Sequence, residues 1–185
     1  MGHIDVETRP ATYRDWHDIC DLFGEPGASD GCWCVSLRDD AYEKLNCSGR
    51  KDVLRSLLLA GDCKAILAYS DDTPVGWCSF GKCSEFPEIS RRFSAPFDDW
   101  MFGCFFVREE FRGLGVQYSL ARSAVAEMLS ADARRVFAYV ACESCDTELR
   151  RDWAFTGSLR LFLSLGFSVT GASVFPLSEL QLCLV

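Results

Sequence analysis

The passage Cys104-Phe105-Phe106-Val107-Arg108-Glu109-Glu110-Phe111-Arg112-Gly113-Leu114-Gly115-Val116-Gln117 constrains the fold more than any other part of the chain. It completes a run, residues 100–107, that is apolar at every position. A strand apolar on both alternating faces has no solvated side and belongs in the middle of a sheet covered on both faces. After the turn, Val116, Leu120, Ala124 and Met128 recur every fourth residue, the core face of a helix running to about Ser130. A strand, a glycine turn and a helix in this order aim the first N–H groups of the helix at one spot, with the positive end of its dipole behind them. Such a spot takes phosphate or pyrophosphate. Arg112 adds a permanent charge, and Gly113 and Gly115 let the backbone approach an anion with no Cβ in the way. Arg-x-x-Gly alone is equally compatible with an unliganded turn. The passage is not a Walker loop, lacking Gly-Lys-Ser/Thr, nor a dinucleotide fingerprint, lacking the third glycine and its spacing.

The rest of the chain reads as a mixed α/β domain. Residues 4–9 predict a first strand, and Thr12 or Tyr13 opens a helix to about Phe23 with Trp16, Ile19, Cys20 and Phe23 at helical spacing. Residues 24–31 are a loop, and 32–37 fit either a loop or a strand. One or two helices lie between Asp39 and Leu59, closed by Gly61. Residues 64–69 and 75–80 form a hairpin around Asp71-Asp72-Thr73-Pro74. Residues 83–97, with two prolines, predict an irregular excursion. A strand at 136–140, a polar loop at 142–152, a short helix capped by Thr156 or Ser158 and ended by Gly166, and strands at 167–175 and 180–185 complete the order.

Composition narrows the function. The 185 residues hold 27 acidic and 19 basic side chains, a formal charge of −8, and two histidines. The acidic balance argues against a nucleic-acid partner, which needs a basic surface to displace counterions, and favours a cationic one. With only His3 and His17, a Ser-His-Asp triad or a multi-histidine metal site has almost nothing to be built from. The 11 cysteines are odd in number and no apolar run opens the chain, so free thiols in a reducing cytosol are expected. No run approaches the roughly 20 apolar residues of a membrane span.

Three further passages join the glycine turn: Val6-Glu7-Thr8-Arg9-Pro10-Ala11-Thr12 at the start, Val75-Gly76-Trp77 in the hairpin, and Phe162-Leu163-Ser164-Leu165-Gly166-Phe167 near the end. In this order they resemble the GNAT superfamily of acyl-CoA-dependent N-acyltransferases over essentially the whole chain. Cys32-Trp33-Cys34, Val75-Gly76-Trp77-Cys78, Cys104-Phe105-Phe106-Val107 and Phe155-Thr156-Gly157 are similar to a bacterial subgroup of mostly unassigned substrate. The resemblance implies one GNAT-like domain over 1–185, with a central, mostly antiparallel sheet of about 6–7 strands flanked by helices. It implies an N-acetyltransferase that takes acetyl-CoA as cosubstrate, without a metal, and transfers the acetyl group directly to an amine of a small molecule or peptide. A cytoplasmic monomer or homodimer, with no nucleic acid or membrane as partner, fits that expectation. Arg112 to Val116 resemble the pyrophosphate loop. The implied cofactor contacts are Phe105, Phe106, Val107, Arg112, Gly113, Leu114, Gly115, Val116, Gln117, Tyr118, Ser158 and Phe162. The chain departs from the family where Gln117 replaces a small residue, and where Phe162 replaces a tyrosine that protonates the leaving thiolate in many members.

Direct transfer needs a donor for the thioester oxygen, a base for the ammonium and a proton for the thiolate. The backbone near Phe106 and Val107 is the expected donor. Asp98 and Asp99 are the candidate bases, with a solvated loop pair as the alternative reading; Glu143 and Asp146 are further candidates, and Glu109 and Glu110 read as solvated. Tyr139, Tyr118, Cys142 or water could protonate the thiolate. Trp33, Trp77, Phe80 and Trp100 suit either a cation-binding pocket or the core. Cys32-x-Cys34 and Cys142-x-x-Cys145 raise a structural zinc as a minor alternative. A redox role for the second pair lacks the strand and helix between which such motifs stand. A CoA-binding sensor or interaction domain with little catalysis is the competing reading.

Overall fold

The computed structural model describes residues 4–142 and 144–184. Its seven strands are β1 (Glu7–Pro10), β2 (Lys64–Ser70), β3 (Thr73–Lys82), β4 (Trp100–Val107), β5 (Arg135–Ala141), β6 (Ser168–Val174) and β7 (Leu177–Cys183). They form one sheet in the order β1-β2-β3-β4-β5-β7-β6. Every neighbouring pair is antiparallel except β4 and β5. The helices are α1 (Trp16–Phe23), α2 (Cys47–Ala60), α3 (Pro87–Phe93), α4 (Val116–Ser130), α5 (Thr147–Asp152) and α6 (Leu159–Ser164).

Helix ends follow their local chemistry. The Asn46 side chain accepts the Gly49 N–H at the start of α2, and Gly61, in the left-handed region, ends it. Ahead of α1, Asp15 accepts from the Thr12 N–H and Thr12 hydroxyl and from Arg9 at 2.6 Å, fastening β1 to the helix. Burial works to raise the Asp15 pKa, but these three donors outweigh it and hold the carboxyl below its ordinary value.

β4 is covered on both sides, as its sequence requires. Phe102 and Phe105 face α4 and α6, packing with Val116, Leu120, Ala124, Met128, Phe162 and Phe167. Met101 and Cys104 face the other way. Cys104 packs with α1 and α2, and Met101 packs beneath α3 with Phe137 and Tyr139. Trp33, Trp77, Phe80 and Trp100 are all buried, so these aromatics serve the core.

Two segments differ from the sequence reading. Residues 83–97 contain α3, with Pro87 in its first turn, where the missing N–H costs nothing. The polar stretch after β5 contains α5, capped by the Asp146 carboxylate on the Leu149 N–H at 2.8 Å.

Candidate active site

Among the described residues the sheet opens at its one parallel joint. β4 and β5 pair through Trp100↔Val136 and Met101↔Phe137 alone, while β4 stays with β3 and β5 with β7. Two strands joined at one end form a V, and beyond Met101 the β5-side edge of β4 is open to an extended ligand. A bulge marks the same place. Cys78 pairs with Phe105 but Phe80 pairs with Phe102, so β4 carries one residue more than β3, and a bulged strand bends and twists. The Cys104 N–H, displaced by the bulge, donates to Ser79 Oγ at 3.0 Å. A Cβ on Gly103 would lie 2.5 Å from Phe86 Cε1 and 2.7 Å from Ser79 Oγ, so only glycine fits there. Cys34 completes this buried network, 3.2 Å from Ser79 Oγ and receiving the Trp77 indole N–H at 3.1 Å. Burial works to raise the Cys34 pKa, but hydrogen bonds with Cys104, Ser79 and Trp77 prevail and lower it.

A cleft of about 1040 Å³ occupies the V, at the upper end of the range for small-molecule sites. Its near wall is Phe105, Phe106, Val107, Phe111, Arg112, Gly113, Gly115, Val116, Gln117 and Tyr118. Its far wall is Arg151, Asp152, Ala154, Phe155, Ser158, Arg160, Leu161 and Ser164, with Ser29 and Asp30 at the margin. Gly113 and Gly115 have φ of 76° and 90°. Among the described residues no acceptor takes the N–H groups of Gly113, Leu114, Gly115, Val116 or Gln117. The Arg112 stem is fixed by its Nε–H on the Val107 carbonyl at 3.1 Å. The lining holds three arginines against two aspartates, a local positive balance in a chain of charge −8.

Ten of the cofactor contacts expected from sequence line this cleft: Phe105, Phe106, Val107, Arg112, Gly113, Gly115, Val116, Gln117, Tyr118 and Ser158. Leu114 turns aside, its carbonyl accepting the Ile4 N–H at 3.2 Å. Phe162 lies fully buried among Phe102, Phe105 and Phe167, beneath Gly157. The apolar neighbours of a ring with no polar atom draw it into the core.

The expected catalytic residues are not brought to the cleft. Asp98 and Asp99 precede β4, at the end where β4 and β5 are still joined, and Asp99 is ion-paired to Arg135 at 2.7 Å. Tyr139 points to the α3 face, stacked on Phe137 and packed at a tilt against Phe93. Its hydroxyl is buried beside the Glu179 carboxylate but outside hydrogen-bonding geometry. Burial first, and Glu179 second, raise its pKa. Glu109 and Glu110 are exposed in a 3-10 turn, Asp146 is the α5 cap, and Glu143 lies outside the described residues. The two cysteine pairs stand apart, Cys34 against Trp77 and Ser79, Cys142 against Cys145 at the end of β5.

Apart from Ser158, sequence reading missed the far wall and the margin. Arg160, two residues after the Ser158 cap, was the one legible signal, because a residue in the first turn of a helix beside an anion site has a short reach to it. Ser29 and Asp30 sit in a loop whose backbone is left-handed at Gly24, Gly27, Ala28, Asp30, Gly31, Trp33 and Cys34, a density of strained positions that tertiary packing must hold.

A sheet split beside a strand-turn-helix cradle is a fold that the chain shares with solved N-acetyltransferases. An N-acetyltransferase from Staphylococcus aureus Mu50 superposes with a TM-score of 0.60 at 14% identity, over 98% of this chain and 100% of that one. The GNAT domain of PAT from S. lividans gives 0.62 at 17%, over 97% and 90%. YncA from Salmonella typhimurium, a putative acetyltransferase solved with its cofactor acetyl-CoA, gives 0.58 at 18%, over 97% and 94%. The family model "Acetyltransferase (GNAT) family" matches residues 29–154, and the chain belongs to that family. A search of curated proteins finds no match.

Proposed function

We propose that the protein is an acetyl-CoA-dependent N-acetyltransferase that transfers acetyl directly to a primary amine of a small molecule or peptide. The supporting observation is the row of acceptor-free N–H groups from Gly113 to Gln117 at the mouth of a cleft that ends along the open edge of β4. In this reading the pyrophosphate lies on those N–H groups with Arg112 beside it. The pantetheine arm runs along Phe105, Phe106 and Val107 as an added strand, and Ser158 and Tyr118 flank it. A main-chain N–H near Phe106 and Val107 meets the oxygen charge that develops as the amine attacks. Asp30 and Asp152, the two carboxylates of the cleft lining, attract the ammonium and accept its proton directly or through water. The departing thiolate takes its proton from water, since Phe162 has none to give. Isothermal titration with acetyl-CoA, followed by thiol release across an amine panel, tests this. Binding with amine-dependent thiol release is expected; absence of acetyl-CoA binding overturns it.

A second reading is CoA binding with little catalysis. It is favoured by the burial of Phe162 at the position where many relatives hold a proton donor. Tight acetyl-CoA binding with no thiol release from any amine would select it.

A further inference from the structure

Cys142-x-x-Cys145 stands between strand β5 and a helix, α5, that the sequence did not show there. Cys142 directly follows β5, and Cys145 directly precedes Asp146, the cap of α5. The Cys145 N–H donates to the Cys142 carbonyl at 3.1 Å, closing a turn whose end Cα atoms fall within about 7 Å. A disulfide needs a Cα separation of about 4.4–6.8 Å. The two sulfurs are 2.8 Å apart. Both residues are buried but keep a little surface, 8% for Cys142 and 5% for Cys145, and Cys145 stands between exposed Ser144 and Asp146.

The pair is also the joint of the cleft's far wall. From Cys145 the chain enters α5 and the turn Ala154–Thr156, which together present Arg151, Asp152, Ala154 and Phe155 to the cleft. The joint is tied to the β6–β7 turn at Pro176, whose carbonyl accepts the Cys142 N–H at 2.8 Å and the Cys145 S–H at 3.3 Å. A disulfide has no S–H, so oxidation removes the second of these ties.

We propose that Cys142 and Cys145 form a reversible dithiol–disulfide pair that responds to low-molecular-weight disulfides and, through the far wall, sets the strength of cofactor binding. The Cys142 thiolate attacks one sulfur of the small disulfide, forming a mixed disulfide and expelling one thiolate. Cys145 then gives up its proton and attacks the Cys142 sulfur, closing the ring and expelling the second thiolate. Two protein thiols are oxidised and one small disulfide is reduced to two thiols. Hydrogen bonds with Cys145 and Ser144 hold the Cys142 thiol below its ordinary pKa, which suits it to the first attack.

The full chain, equilibrated in glutathione buffers of graded oxidation, acid-quenched, alkylated and cut with trypsin, gives the peptide 136–150, whose only cysteines are these two. The expected product is an unalkylated peptide lighter by two hydrogen atoms, in a share that rises with oxidation and is reversed by dithiothreitol. Cys145→Ser is expected to trap glutathione on Cys142. Double alkylation of the wild-type peptide in every buffer overturns the proposal. In titrations with CoA the oxidised chain is expected to bind about fivefold more weakly, the low end of ordinary coupling between sites, and the Cys142→Ser/Cys145→Ser variant equally in both buffers. Equal affinity of the two wild-type forms overturns the link to the cleft. Absence of CoA binding by either form overturns that link and the acyltransferase reading together, whereas the peptide masses judge the pair independently.

Discussion

The two walls of the cleft are built differently. The near wall is one uninterrupted piece of local structure, in which a buried strand runs through a glycine turn into a helix of 15 residues with a continuous apolar face. The far wall is assembled from two six-residue helices and a 3-10 turn, hung between β5 and β6 and joined to the rest through Cys142 and Cys145. The near wall offers fixed main-chain donors, whereas the far wall offers arginines on short elements. A rigid array of N–H groups loses little freedom on binding an anion, while long exposed side chains must be immobilised to contribute. The near wall should therefore carry the affinity, and the far wall should adjust it.

The largest expected effect comes from destroying the near wall's array. Gly115, at φ 90° and capping α4, cannot become valine without strain or movement, and the branched side chain would cover the N–H groups behind it. Gly115→Val should lower acetyl-CoA affinity about a hundredfold in calorimetry with an unchanged circular dichroism spectrum. A loss below threefold would place the anion elsewhere, on the far wall.

Next comes Phe162→Tyr, which asks whether the usual tyrosine position communicates with the cleft. Phe162 is fully buried among Phe102, Phe105 and Phe167, so a hydroxyl added to its ring enters apolar surroundings. Stability to urea should fall by about 1–3 kcal/mol, and turnover should not rise. A gain in turnover would show that the hydroxyl reaches the leaving thiolate.

Removing single charges compares the walls directly. Arg112→Ala should weaken acetyl-CoA binding about tenfold. Arg151→Ala and Arg160→Ala should each weaken it about threefold, an effect lost in 1 M salt because exposed charges are screened within about 3 Å. If the far-wall losses equal that of Arg112, the division of labour is wrong.

What was legible in the sequence follows the same divide. The β4–α4 passage was readable to its limits because strand burial, glycine turn and helix periodicity are local and agree with one another. The α5 part of the far wall was not, because α5 is a single polar turn and a half whose only signals are the Asp146 cap, Glu148 in the first turn and two arginines in the last. Residues 83–97 hid α3 because Pro87 reads as a breaker, although it favours a first turn. The extra residue in β4 is invisible to any pattern, since it depends on pairing with β3. The order of elements placed Asp98 and Asp99 next to the right strand, but only the structure shows that they stand at its closed end.

Tyr139 gives the smallest expected effect and the sharpest check on that distinction. By sequence it lies on the strand beside the cofactor cleft. By structure its ring leaves the sheet on the α3 face, packed between Phe93 and Phe137. Its hydroxyl is buried without a formed hydrogen bond, and the neighbouring carboxylate is served by Thr170 at 2.9 Å. Deleting a polar atom that has lost water and gained no partner removes a penalty and leaves nothing unsatisfied. Tyr139→Phe should therefore leave stability within about 0.5 kcal/mol or slightly raise it. Turnover should keep its magnitude and pH profile, because a phenol whose pKa is raised by burial and by Glu179, and which faces away from the cleft, has no proton to exchange there. A drop in turnover with unchanged acetyl-CoA affinity would mean that the α3 face, and with it the Asp99–Arg135 end of the sheet, takes part in the reaction.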